Sequence, residues 1–287
     1  MKALSFGEII IDIENGKKTV GGAPLNFAIH VGRMGLESYI YSAIGNDENG
    51  EMAKAAILSE GIMTNHLFPS SKETATCILK DGGYRISENS SFDFIPYSPT
   101  ASDFDLLYVG TLALRSEETR RTFELLYKNG KFKEVYFDIN IRQSFYSEEL
   151  IESLLKKATI YKASREDVYA LYGKDTDLSQ YCQTISSKYS NINIIIITLD
   201  KDGAMLFDAR TERFIFSPPH PCKFKSSVGA GDSFSAAFVS CYLKGAEIEK
   251  CLDAGCMLGA YVASMDGAVP IYSERLTKLL KEIYDVY

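Results

Sequence analysis

Short apolar runs recur along this chain with stretches of helical period between them, and that alternation limits the possible folds more than any other feature. Segments 4–11, 105–109, 135–139, 158–161 and 192–198 have the length and the β-branched or aromatic content of buried strands. Segments 24–34, 50–58, 117–128 and 148–156 place apolar residues at helical spacing. Pro24 suits a first helical turn, and Gly35, Gly61 and Gly130 stand where helices would end. A strand–helix–strand order predicts an α/β fold with a mostly parallel sheet covered on both faces. Two segments break the rhythm. Residues 12–20 are polar and turn-rich, and 74–97 reads as a hairpin with a turn at Asp81-Gly82-Gly83. Paired together, they would form a small sheet over one edge of the main layer. No repeat, low-complexity tract or long linker divides the 287 residues, so one domain over 1–287 with a lid at 12–20 and 74–97 is expected.

Composition narrows the function. With 46% hydrophobic residues over 287 positions the chain can bury a core large enough to offset its conformational entropy, which excludes disorder. Lys and Arg number 31 against 38 Asp and Glu, a net charge of −7, and a dedicated nucleic-acid binder would need a basic face instead. The longest purely apolar run, 194–197, falls far short of the roughly 20 residues of a membrane span. Glu8 comes too early for a secretory h-region. Cys77, Cys182, Cys222, Cys241, Cys251 and Cys256 form no CxxC pair and read as buried thiols of a cytoplasmic protein. His30, His66 and His220 match no zinc spacing.

The strongest local signal is Ser226-Ser227-Val228-Gly229-Ala230-Gly231-Asp232-Ser233-Phe234. Phe234, Phe238, Cys241 and Tyr242 then fall on one helical face, so a small-residue loop opens a buried helix. The first N–H groups of such a helix lack acceptors and the helix dipole adds positive potential, an arrangement that cradles phosphate. Asp232 is the anomaly, because a carboxylate beside bound phosphate is repelled unless it takes a proton from an attacking hydroxyl. Helix capping alone, worth ~1 kcal/mol, would also account for it. No GxxxxGK[ST] occurs, and Phe234 replaces the third glycine of a dinucleotide fingerprint. A second cluster, Val20-Gly21-Gly22-Ala23-Pro24-Leu25-Asn26-Phe27, brings two glycines to the start of a helix with Asn26 in its first turn. Asn26 both donates and accepts, as a polyol requires. Asp12 closes the first expected strand, at the edge where parallel sheets bind ligands.

Together, Gly21-Gly22-Ala23-Pro24-Leu25-Asn26 and Ser227-Val228-Gly229-Ala230-Gly231-Asp232 resemble the two signatures of the PfkB/ribokinase-type carbohydrate kinases. The resemblance extends over nearly the whole chain. Phe6-Gly7-Glu8 through Asp12 is similar to the family's opening, and Gly45-Asn46-Asp47-Glu48-Asn49-Gly50 to its GxDxxG turn. Gly110-Thr111-Leu112-Ala113, Arg115-Ser116-Glu117 and Asp138-Ile139-Asn140-Ile141-Arg142-Gln143 resemble the fructokinase branch. Thr198-Leu199-Asp200-Lys201-Asp202-Gly203-Ala204 and Gly267-Ala268 resemble late family motifs. The resemblance implies a ribokinase-like three-layer sandwich with a small β lid, and transfer of the ATP γ-phosphoryl group to a sugar hydroxyl with Mg²⁺. It implies Asp232 as catalytic base with Gly229, Ala230 and Gly231 as the anion hole. Asp12, Gly22, Asn26, Arg115, Asn140 and Arg142 match positions at the substrate. Ser227, Val228, Gly229, Gly231, Lys201, Gly203 and Cys256 match the nucleotide side. It also implies a homodimer through the lid.

The departures cluster. Ser226 stands where the family has an Asp that helps to hold a monovalent cation, which weakens the case for K⁺. In the family's NxxE, which organises water around Mg²⁺, Ser164 replaces Asn and Asp167 replaces Glu, with Glu166 beside it as a substitute. Cys256 falls where a polar Asn is common. The sugar side is intact and the metal side eroded, which motivates a competing reading as a sugar-binding pseudokinase with a regulatory role. Kinases for ribose, 2-keto-3-deoxygluconate or a nucleoside are the nearest enzyme alternatives, and an oxidoreductase lacks its glycine fingerprint. From Ser226 we expect little activation by K⁺. Initial rates with and without added K⁺ at fixed ionic strength check this, and a many-fold acceleration would reject it.

Overall fold

The apolar run at 4–11 does not continue as one strand. Strand β1 (Lys2–Phe6) stops at Gly7, and the chain resumes as β2 (Ile10–Glu14) in a different sheet. A side chain at Gly7 would meet the Pro24 ring at 2.5 Å, so the break lies under the start of the first helix. The computed structural model describes residues 1–80, 83–100 and 103–284, which divide into two units, Met1–Lys133 and Glu134–Tyr287.

The first unit continues with β3 (Lys17–Gly21), α1 (Ala23–Arg33), β4 (Glu37–Gly45), α2 (Glu48–Ser59), β5 (Met63–Ser70), β6 (Ala75–Lys80), β7 (Gly83–Ile86), β8 (Phe104–Gly110) and α3 (Glu117–Asn129). Its larger sheet has the order β8-β1-β4-β5, with every pairing parallel. Leu4 sits between Tyr39 and Leu107 in register. Leu4, Phe6, Phe27, Tyr41, Tyr108 and Phe123 are fully buried, with the Phe27 and Tyr108 rings stacked at 4.0 Å. Strands covered on both faces must be apolar throughout, which is why these runs were continuous in the sequence.

The two excursions do pair, in the order β3-β2-β6-β7. Residues 12–20 are a β2–β3 hairpin, turned at Asn15 and Gly16 with φ of 51° and 78°, the left-handed pair that a two-residue turn needs. The expected turn at Asp81-Gly82 lies outside the described residues. Gly35 and Gly61 end their helices in left-handed conformation, with φ of 84° and 68°. Gly130 does not. Its φ is −81°, and its N–H simply continues the helical pattern to the Leu126 carbonyl.

The second unit begins within β9 (Phe132–Asp138) and contains α4 (Glu148–Leu155), β10 (Ile160–Ser164), α5 (Arg165–Tyr172), α6 (Leu178–Lys188), β11 (Ile194–Thr198), β12 (Ala204–Asp208), β13 (Arg213–Ser217), α7 (Ala230–Leu243), α8 (Ile248–Ala263) and α9 (Glu274–Tyr284). β9, β10 and β11 pair in parallel, and β12 and β13 add an antiparallel edge. Helices α7 and α8 approach closely where Gly255 faces the Phe234 ring, 2.9 Å from where a Cβ would stand. No helix among the described residues is long and apolar enough to cross a membrane.

One carboxylate ties the small sheet to the rest of the first unit. Asp47 caps α2 through the Gly50 N–H at 2.7 Å, and accepts from the Thr74 N–H at 2.7 Å and the Thr74 hydroxyl at 2.8 Å, at the entrance to β6. Burial would raise its carboxyl, but the bonds from Thr74 and Gly50 hold it below the ordinary carboxylate value. We expect Asp47→Ala to cost about 2 kcal/mol, since it removes a cap together with charge-assisted bonds. Asp47→Asn should cost less. Thermal and urea midpoints of the purified variants test this, and an unchanged alanine variant would refute it.

Candidate active site

Three of the expected sugar-binding residues converge in the first unit. Gly22 precedes α1 with φ 108°, and a Cβ there would lie 2.4 Å from the Glu8 carbonyl oxygen, so only glycine fits. Its carbonyl accepts from the Asn26 N–H at 2.9 Å, which sets Asn26 in the first turn, 5% exposed. Asp12 lies in β2 rather than at the end of β1, and its Oδ2 is 2.7 Å from where a Gly21 Cβ would stand. The Asp12 carboxylate therefore stands beside Gly21, and Asn26 is tied through its backbone to Gly22, at a glycine pair that lets a ligand close to the backbone. Arg115 has a different local task. Its Nε and Nη2 donate to the two oxygens of Asp93, each at 2.7 Å, and Nη2 also donates to the Ser87 carbonyl at 2.6 Å. The guanidinium stacks over Phe92 at 4.5 Å.

The second unit carries the anion-binding loop. Gly229 is the N-cap of α7, left-handed at φ 78°, and a Cβ would stand 2.5 Å from Ala268 backbone atoms. No side chain caps this helix; its Ala230 N–H donates to the Ser227 carbonyl at 3.2 Å, and the helix dipole favours an anion at this end. Ser226 shapes the approach, its hydroxyl accepting the Val228 N–H at 3.2 Å, while Ser227 and Val228 are exposed. Asp232, in the first turn of α7, is 8% exposed. Beneath it, Ser235 donates to the Gly231 carbonyl at 3.0 Å and stands 3.3 Å from Asp138 Oδ2, which accepts from Lys162 Nζ at 2.7 Å.

The remaining expected residues lie around this loop's own unit. Asn140 follows β9 with φ 38°, a left-handed position Asn tolerates, and Arg142 is exposed two residues on. Lys201 is exposed in the 3-10 turn before β12, and Gly203 is packed where a Cβ would meet the Ser217 carbonyl oxygen at 2.2 Å. Cys256 is buried against β13, and burial pushes its thiol up to about 11. Asp167 closes a capping box with Ser164. Its Oδ2 accepts from the Ser164 N–H at 2.9 Å and hydroxyl at 2.7 Å, and its Oδ1 from the Ile141 N–H at 3.1 Å. Glu166 is exposed, 3.7 Å from Arg165. Among the described residues no three metal-capable side chains gather.

Sequence reasoning missed Lys162 and Ser235, and gave Asp138 no role. A signal existed, since each of two neighbouring strands buries one charge in its apolar run, and the register places Lys162 opposite Asp138.

Three comparisons bear on this geometry. The model of the pfkB family of carbohydrate kinases matches residues 2–274. The ATP-dependent 6-phosphofructokinase of Thermoanaerobacterium thermosaccharolyticum is 26% identical over 313 residues, covering 99% of this chain and 94% of that protein. The fructokinase of Vibrio alginolyticus is 26% identical over 271 residues, covering 84% of each. Among solved structures, the fructokinase from Vibrio cholerae O395 in its fructose-, ADP- and calcium-bound form superposes with a TM-score of 0.83 at 21% identity, covering 93% of this chain and 94% of that one. The fold is thus ribokinase-like, a mostly parallel sheet with helices packed around it and a small second sheet.

Proposed function

The chain belongs to the pfkB family of carbohydrate kinases, and from that premise we propose that it transfers the γ-phosphoryl group of ATP to a hydroxyl of fructose. Asp232 carries the reading, a carboxylate only 8% exposed in the first turn of a helix whose N-terminus is otherwise suited to anions. A base is the function that explains a negative charge there.

In this reading Asp12, Gly22 and Asn26 hold the sugar through its hydroxyls. Asp232 takes the proton from the attacking hydroxyl as its oxygen bonds to phosphorus and the bond from phosphorus to the ADP oxygen breaks. The N–H groups of Gly229 and Gly231 serve the charge of the transferred group, while the Ala230 N–H, bonded to the Ser227 carbonyl, fixes the loop so that it does not reorganise during the reaction. Ser227, Val228, Lys201, Gly203 and Cys256 serve the nucleotide, and Asn140 and Arg142 the substrate and phosphates. A divalent cation, Mg²⁺ in this family, would enter with the nucleotide and supply positive charge that offsets the charge of its phosphates. We assign no step to a protein-held metal, because Asp167 is engaged in its capping box and Glu166 in its contact with Arg165. A homodimer through the small sheet belongs to the same reading, with Ile78 and Tyr84 49% and 39% exposed there.

The 6-phosphofructokinase relative makes fructose 6-phosphate the second acceptor to test. The unphosphorylated sugar is favoured, since Arg115, a nearly buried cation of the first unit, is held by Asp93. ADP release with Mg·ATP across fructose, fructose 6-phosphate, ribose, sugar acids and nucleosides decides among these. Turnover should be highest with fructose and should fall roughly 10³-fold in Asp232→Asn. Activity confined to a nucleoside, or undiminished in the variant, would overturn the proposal.

A further inference from the structure

The first turn of α7 contains a glycine that its backbone does not require. Gly229 needs to be glycine, but Gly231 has no left-handed φ, and beyond its chain neighbours and its own helix backbone the one heavy atom of the described residues within 4 Å of its would-be Cβ is Lys162 Nζ, at 3.4 Å. A methyl group would fit there at ordinary contact distance. What it would do is cover the ammonium.

That ammonium is unusual. The Lys162 side chain is 6% exposed, and Asp138, 1% exposed, is its one hydrogen-bond acceptor among the described residues, at 2.7 Å. An ammonium has three N–H donors, so two remain for another partner. A cation this deep is expensive to desolvate, and a single carboxylate does not satisfy its hydrogen-bonding capacity. The open donors stand beside Gly231, on the same helical turn that presents N–H groups to an anion. Ser235 holds that turn to the pair by donating to the Gly231 carbonyl at 3.0 Å while standing 3.3 Å from Asp138.

We propose that Lys162 is a further catalytic residue, donating past the bare Cα of Gly231 to the phosphoryl group that is transferred. The proposal rests on the kinase reading above. Lys162 keeps its proton throughout; it supplies a fixed positive charge, and Asp232 remains the base. A charge aimed at the terminal phosphoryl group discriminates triphosphate from diphosphate, and it lowers kcat when lost without altering sugar affinity.

Lys162→Met alone would strand a buried carboxylate and risks failing to fold. The paired variant Asp138→Asn with Lys162→Met removes both charges together and keeps the volume. Calorimetry with β,γ-imido-ATP and with ADP, both with Mg²⁺, should find its preference for the triphosphate analogue reduced roughly tenfold and its ADP affinity nearly unchanged. Its kcat should fall roughly 10²-fold, with the KM for sugar within about threefold. Gly231→Ala, which retains both charges, should also lose triphosphate preference, and it provides the test if the paired variant does not fold. Wild-type selectivity and kcat in the folded paired variant, or wild-type selectivity in Gly231→Ala, would overturn the inference and leave Lys162 as the neutraliser of Asp138. A wild-type protein that binds the analogue in a Lys162-dependent way but turns over no sugar would support the inference and overturn the kinase reading. A folded wild type that binds neither nucleotide would overturn both.

Discussion

The second unit is organised around two opposite charges facing each other from neighbouring strands, Asp138 and Lys162, 1% and 6% exposed. Removing an ion from water costs several kcal/mol, so neither residue is tolerable without the other. Their register also fixes the pairing of β9 with β10, because a slip by one residue would point both charges away from each other. Ser235 extends the pair to the Gly231 carbonyl, so the first turn of α7 is tied to the sheet beneath it. An anion hole works by being fixed before the charge arrives. Here the fixing runs through a buried salt bridge, and burial accordingly raises the Asp138 carboxyl above its ordinary value even with Lys162 beside it.

The first unit uses charge in the same way for a different end. Asp47 gathers the end of β4, the start of α2 and the entrance to β6 on one carboxylate. Asp93 takes the planar fork of Arg115 with both oxygens and so pins the segment that follows β7. A bidentate arginine–carboxylate pair is directional as well as strong, and this one is 7% and 5% exposed, away from competing water. The Gly21-Gly22 approach and Asp12 belong to a unit framed by one ion pair and one carboxylate that gathers charge-assisted hydrogen bonds. A short hairpin with exposed edges would not hold its place on apolar contacts alone.

What was legible in the sequence follows from these physical demands. Strands of a parallel sheet are apolar throughout, so 105–109, 135–139 and 192–198 stood out. The break at Gly7 did not, because Ile9, Ile10 and Ile11 stay buried, at 0%, 5% and 0%, after the chain has changed sheets. β3 was hidden by exposure: its Lys17, Lys18 and Thr19 face solvent, so the segment read only as polar and turn-rich. In the site, Gly22 and Gly229 were readable because a close approach and a left-handed backbone leave one possible residue type. Lys162 and Asp138 lie 24 positions apart and belong to no spacing motif, so only strand register joins them. Arg115 matched a family position, yet nothing in its neighbourhood announced that Asp93 would claim its fork.

The same logic changes how the departures at Ser226, Ser164 and Asp167 read. Ser164 and Asp167 form a closed capping box that also receives the Ile141 N–H from the loop after β9, so the shorter carboxylate joins two loops instead of leaving a gap. Ser226 does with a hydroxyl what turn residues do with a carboxylate, accepting the N–H two positions on. These substitutions preserve backbone shape, and Ser226 alone among them lowers the negative charge beside the loop, by one carboxylate. Where fewer carboxylates compete for positive potential, a buried ammonium already in place under Gly231 has more influence on a bound phosphate. The sequence that departs from its family around the cation thus retains, in Lys162, a cation of its own.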